Sequence, residues 1–127
     1  MKLKVRCSFE AAHRLLHHKG KCNNLHGHRW EVEVEVSGKP NPETGMVIDF
    51  GKIKKYIRDV FDHACILNKE DPLLNPILQE SDVVVMDSEP TAENIAKKIK
   101  ADLMTLYGIK VSKVRVWESE NNMVEVG

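Results

Sequence analysis

The sequence predicts an α+β fold in which a mainly antiparallel, four-stranded sheet carries two helices on one face. Three observations predict it. Two long stretches near the start alternate apolar and polar residues. Two central stretches repeat apolar residues at helical spacing, and two more alternating stretches close the chain. The order is therefore β, β, α, α, β, β. At 127 residues the chain suits one domain, residues 1–127, and it contains no internal repeat, low-complexity tract or linker.

The first strand is expected over 3–13. Leu3, Val5, Cys7, Phe9 and Ala11 take odd positions, and Lys2, Lys4, Arg6, Ser8 and Glu10 take even ones. "RLLHHKGKCNNL" breaks both periods and reads as a loop. The second strand covers about 28–37, with Trp30, Val32, Val34 and Val36 on one face and Glu31, Glu33 and Glu35 on the other. "SGKPNPETG" is a turn-rich break. Ile53, Tyr56, Ile57, Val60 and Phe61 predict a helix over 50–61. "FDHACILN" closes that helix, "NKEDPLLNP" is irregular, and "VVVMD" is either a short strand or an ordered loop. The second helix starts at "EPTAEN" with Thr91 as N-cap; Ile95, Ile99, Leu103 and Leu106 form its stripe and Gly108 stops it. "SKVRVWES" and "NMVEV" are the last two strands, joined near Glu120 and Asn121. The second face of the sheet, rich in Lys, Arg and Glu, is either solvated or the wall of a polar channel.

Composition excludes some classes. Hydrophobic residues make up 42% and charged residues 30%, and nineteen basic side chains meet nineteen acidic ones. Such neutrality argues against a nucleic-acid or membrane-surface protein. "MKLKVRCSFE" alternates, unlike a signal peptide. No apolar run approaches the roughly 20 residues that span a bilayer. Three cysteines without framework spacing predict a reduced, cytoplasmic protein. Cys7 and Cys65 read as small buried apolar groups.

His13, His26 and His28 all fall in phase with the apolar face. Pairing the first two strands as a hairpin sets His13 across from His26 and His28, and Gly27 leaves room between the latter two. Three neutral imidazoles converging from a sheet match a catalytic zinc site with its fourth position open for water or substrate. The rival is a structural zinc closed by Cys22. A single histidine on an apolar face is usually only a hydrogen-bonded core residue; three in phase point to a metal.

Cys22 lies four residues before His26, and a thiol beside a metal acts as base or nucleophile; otherwise it is a passive loop residue. Asp62 and His63 are adjacent at a helix end, so their side chains need not touch. They are either exposed or a proton relay with Asp62 holding the tautomer of His63. Glu118 falls in phase with Val114 and Val116. A carboxylate on the apolar side either takes a guanidine-like ligand edge in bidentate geometry or swings into water. Arg14, His17, His18, Lys19 and Lys21 form a basic loop that suits phosphates or solvent equally.

The segments "FEAAHRL", "CNNLHGHRW", "GMVIDFGKIK", "FDHACILN", "EPTAEN" and "VWESENN" span nearly the whole chain. Together they resemble the 6-pyruvoyltetrahydropterin synthase and 6-carboxytetrahydropterin synthase family. The resemblance implies zinc on His13, His26 and His28, Cys22 as the catalytic cysteine, and Asp62 with His63 as its partner pair. It also implies Glu118 as pterin anchor and relay member, and Thr91 as a pterin contact. It implies the tunnelling fold, in which three subunits close their sheets into a barrel and two trimers stack into a homohexamer. Three residues separate Cys22 from His26, a short gap similar to that of the 6-carboxytetrahydropterin synthases of the queuosine pathway. The implied reaction converts 7,8-dihydroneopterin triphosphate to 6-carboxytetrahydropterin, acetaldehyde and triphosphate. The alternatives are the pyruvoyl-forming reaction, a pterin aldolase, and a non-catalytic zinc-stabilised binding module.

Overall fold

The computed structural model describes residues 1–127, and the alternating segments form its centre. β1 (Lys2–His13) and β2 (His26–Ser37) pair antiparallel along their whole length, from Lys2 opposite Ser37 to His13 opposite His26. β5 (Lys110–Ser119) adds to the far side of β2, and β6 (Asn122–Val126) adds to β5, both antiparallel. These four strands are the predicted ones.

The sheet has six strands rather than four, in the order β4-β3-β1-β2-β5-β6. β3 (Ala64–Asn68) runs parallel to the end of β1, and β4 (Val83–Met86) runs parallel to β3, so the sheet is mixed. "ACILN" therefore does not close a helix, and "VVVM" is a strand. All five residues of β3 are buried. A strand covered on both faces has no polar face to alternate with, so it lacks the period-2 signature.

α1 (Phe50–Phe61) matches the predicted span; the side chain of Asp49 caps it by accepting from Gly51 N. α3 (Ala92–Tyr107) is capped by Thr91, whose side chain accepts from Asn94 N, and it ends at Gly108 with φ of 62°. Both helices pack on one face of the sheet. Ile53, Tyr56, Ile57 and Phe61 of α1 and Ile95, Ala96, Ile99 and Leu103 of α3 enter one core with the inward residues of the strands. Leu106 does not join the stripe; it is exposed, while Ala92 and Ala96 fill the positions nearer the helix start. A single-turn helix, α2 (Leu74–Leu78), begins in the segment expected to be irregular and runs just past it, beside β3 and β4.

The inner face is layered. Cross-strand rows run Val5–Val34–Val114, then Cys7–Val32–Val116, then Phe9–Trp30, and then reach histidine. Phe9 stacks on Trp30 at 5.9 Å and meets Phe61 at 5.1 Å. The opposite face answers its own charges across strands. Arg6 pairs with Glu31 at 3.0 Å and lies over the Trp117 ring, and Arg115 reaches both Glu33 and Glu125 at 2.6 Å. No helix is long and apolar enough to cross a membrane.

Candidate metal centre

The apolar rows end in a group of imidazoles. His13 and His26 face each other across the β1–β2 ladder, and His28 lies opposite Ala11 one row inward. Ring centroids of the three histidines are 4.6, 5.2 and 4.8 Å apart. Trp30, fully buried, stands edge-on to His13 and His28 at 4.9 and 5.4 Å, and its Nε1 donates to the carbonyl of Ala11 at 3.2 Å. It is the floor of the site.

Backbone carbonyls fix two of the rings. His13 Nδ1 lies 2.7 Å from Pro90 O, and His26 Nδ1 lies 2.6 Å from Asn24 O. A carbonyl can only accept, so each Nδ1 carries a proton, which leaves Nε2 as the lone-pair nitrogen whenever the ring is neutral. Burial lowers the proton affinity of His13, and its histidine neighbours push the same way; the Pro90 carbonyl and Glu118 oppose them. His28 is also lowered by burial, against the pull of Glu118. The Nε2 atoms of His13 and His28 are buried without a hydrogen-bond partner. Orphaned ring nitrogens facing one point fit a metal ion.

Glu118 joins them. His13, His26, His28 and Glu118 bring one ligand atom each within 4.8 Å of one another. The register between β5 and β6 shifts between Trp117 and Ser119, leaving Glu118 outside the ladder. Freed of a ladder partner at that bulge, Glu118 keeps the inward phase of Val114 and Val116 and meets the histidines.

Cys22 is not in that group. It sits in a 3-10 turn (Lys21–Asn23), half-buried, with its carbonyl accepting from Leu15 N at 2.9 Å. Asp62 and His63, expected not to need contact, do touch: His63 Nδ1 is 2.9 Å from Asp62 Oδ2. The pair is docked on β1, because Glu10 N donates to Asp62 Oδ1 at 3.0 Å and His63 N donates to Glu10 O at 2.6 Å. Those bonds hold Asp62 below the ordinary carboxylate range, the Glu10 amide first and His63 second. His63 has φ of 61°, the one non-glycine residue in the left-handed region.

An open cleft of about 540 Å³ is lined by His28, His63, Gly27, Leu25, Cys65 and Ile77, among others. A Cβ at Gly27 would meet only Ala11 O at 3.7 Å, an ordinary contact, so the room between His26 and His28 does not depend on glycine there. Cys65 is buried as expected and its thiol is pushed up by burial, while Cys7 is half-buried against the core. Thr91 is seen as a helix cap, one residue after the carbonyl that orients His13. Arg14 leaves the basic loop and makes a bidentate pair with buried Asp71. Sequence reasoning missed the carbonyls of Asn24 and Pro90, which carry no side-chain signal, and it read Trp30 only as core.

Comparison with known proteins gives consistent results. The sequence model of the family "6-pyruvoyl tetrahydropterin synthase" matches residues 2–127. A protein of Rickettsia conorii named 6-carboxy-5,6,7,8-tetrahydropterin synthase is 35% identical, over 95% of this chain and 96% of its own. One of the same name from Haemophilus influenzae is 36% identical over 98% and 96%. Among solved structures, the Caenorhabditis elegans 6-pyruvoyl tetrahydropterin synthase superposes with a TM-score of 0.70 at 27% identity, covering 99% of this chain and 94% of that one. An uncharacterized protein of Wolinella succinogenes shares the fold, with a TM-score of 0.74 at 24% identity over 99% and 97%.

Proposed function

The chain belongs to the 6-pyruvoyl tetrahydropterin synthase family, and on that premise we propose that it is a zinc-dependent 6-carboxy-5,6,7,8-tetrahydropterin synthase. Its substrates are 7,8-dihydroneopterin triphosphate and one water, and its products are 6-carboxytetrahydropterin, acetaldehyde and triphosphate. The observation that carries this reading is the convergence of His13, His26 and His28 with Glu118 at one end of the sheet. The names of its relatives support the choice of substrate.

His13, His26 and His28 hold the metal, and three imidazoles are a donor set that suits zinc. Zinc bound there supplies Lewis acidity toward the hydroxyls of the substrate side chain. Glu118 receives two donors from the aminopyrimidine edge in bidentate geometry, and Thr91 contributes to the pterin pocket. Cys22, as thiolate, moves protons on the side chain. His63 passes them on, and Asp62 holds its tautomer, a role that their 2.9 Å contact supports. Loss of triphosphate, internal reduction of the ring and cleavage of the side chain complete the reaction. The active form is a cytoplasmic homohexamer of two stacked trimeric barrels, with the charged face of the sheet lining the tunnel.

The likeness to the nematode structure favours a second reading, triphosphate elimination without side-chain cleavage. One experiment separates the two. Zinc-loaded protein is incubated with dihydroneopterin triphosphate and the products are weighed by mass spectrometry. A carboxypterin with acetaldehyde is expected. A pyruvoyl product selects the second reading, and unchanged substrate refutes both. Product formed only from dephosphorylated dihydroneopterin would mark a pterin aldolase instead.

A further inference from the structure

The position of Glu118 does not suit a residue that only waits for a ring. Its Oε1 lies 3.2 Å from His13 Nε2 and 3.1 Å from His28 Nε2. At His13 the approach is not a hydrogen bond, for that buried Nε2 makes none; at His28, whose other ring nitrogen meets no carbonyl, Glu118 is close enough to accept one. In His13 the Nδ1 proton is committed to the Pro90 carbonyl, so the neutral ring sets an acceptor against an acceptor. Two lone pairs at this separation repel unless a positive centre lies between them. Bonds of about 2.0–2.1 Å to a tetrahedral zinc put neighbouring ligand atoms about 3.4 Å apart. Glu118 Oε1, at 3.2 and 3.1 Å from the two nitrogens, comes near that spacing against both at once.

We propose that Glu118 is the metal's fourth ligand when no substrate is bound, and that it leaves the metal to take the substrate ring. The second half rests on the pterin-synthase reading. Pairing with a guanidine-like edge turns both carboxylate oxygens toward the ring, in competition with turning one of them toward the metal. The site has the means for such an exchange. Glu118 sits at the bulge outside the β5–β6 ladder, and about a third of its side chain is exposed. Ring binding therefore opens the metal's fourth position at the moment the substrate's own hydroxyls arrive. Without a ring the metal stays coordinatively closed, which guards it against stray ligands.

The test uses the whole protein and reads binding, not turnover. Zinc affinity is measured by competition with a chromophoric chelator for wild type, Glu118→Gln and Glu118→Ala, after circular dichroism confirms that each is folded. Loss of even an outer-shell partner costs a metal site about tenfold, so both variants are expected to bind zinc at least about tenfold more weakly. Cobalt-loaded wild type and Glu118→Ala are expected to differ in their visible bands. Equal zinc affinities with identical cobalt spectra would overturn the proposal. Unsubstituted pterin, which has the ring edge but no side-chain hydroxyls, is then titrated into zinc-free and zinc-loaded wild type. It is expected to bind the zinc-free form more tightly, and to weaken zinc by the same factor, because coupling is reciprocal. Equal binding to both forms would overturn the exchange. Pterin binding to neither form would refute the pterin reading, while the zinc and cobalt results still decide the fourth ligand.

Discussion

His13 Nδ1 lies 2.7 Å from the carbonyl oxygen of Pro90, 77 residues further along the chain. Pro90 immediately precedes Thr91, the N-cap of α3. The helix start is thereby coupled to the aim of a proposed metal ligand. Thr91→Ala is expected to cost about 1 kcal/mol in urea denaturation and to weaken zinc binding as the Pro90 carbonyl loosens. Thr91→Ser, which keeps the capping oxygen, is expected to restore both. A Thr91→Ser protein as weakened as Thr91→Ala would show that the methyl group, not the cap, matters.

Cys22 stands outside the four-residue donor group. Cys22→Ala is therefore expected to retain zinc, measured by metal analysis after dialysis, while turnover is lost. A variant that arrives empty of zinc would make the thiol a ligand and revive the closed structural site.

The histidines set a pH window for the metal-free protein. Burial holds His13 and His28 below the ordinary imidazole value of 6.5. As pH falls through that value, the unfolded chain takes up protons that the folded state refuses, so stability falls with pH and levels off above it. Asp62 and Asp71 are also depressed, from 3.8, so their contribution is lost only in stronger acid. With chelator present, the urea midpoint should drop between pH 8 and pH 5. A flat profile across that range would contradict the burial of neutral imidazoles. Zinc affinity should fall over the same window, since protons compete for the same nitrogens.

Asp71 has no exposed side-chain surface and receives Arg14 Nε at 2.7 Å, with Leu73 N donating to it as well. The Arg14 guanidinium holds its carboxyl below the usual range. Removing one member of a buried pair leaves the other uncompensated and typically costs about 3–5 kcal/mol. Asp71→Ala is expected to fall in that range by chemical denaturation. A loss under about 1 kcal/mol would mean that water replaces the carboxylate.

Periodicity made most of the sheet legible. Strands with one solvated face, such as Arg6 and Glu33 opposite Cys7 and Val32, announce themselves by alternation. β3 and β4 do not, because Ala64–Asn68 is covered on both sides and its parallel pairing with Ala11, Ala12 and His13 is non-local. Site positions were legible where phase carries them. His13, His26, His28 and Glu118 all keep the inward phase and do converge. The destination of Glu118 was not legible, since it depends on a bulge and on three side chains from two other strands. Nor was the Asp62–His63 contact, which requires a left-handed backbone at His63.

The full-length register of β1 against β2 has a consequence for how the molecule matures. A slip of one residue would send every side chain of a strand to the opposite face, scattering the three imidazoles. Only the correctly aligned hairpin offers a nest for the ion. On the proposed zinc reading, metal available during synthesis would thus select aligned chains by mass action, so that the cation would inspect the assembly of the sheet before serving any chemistry.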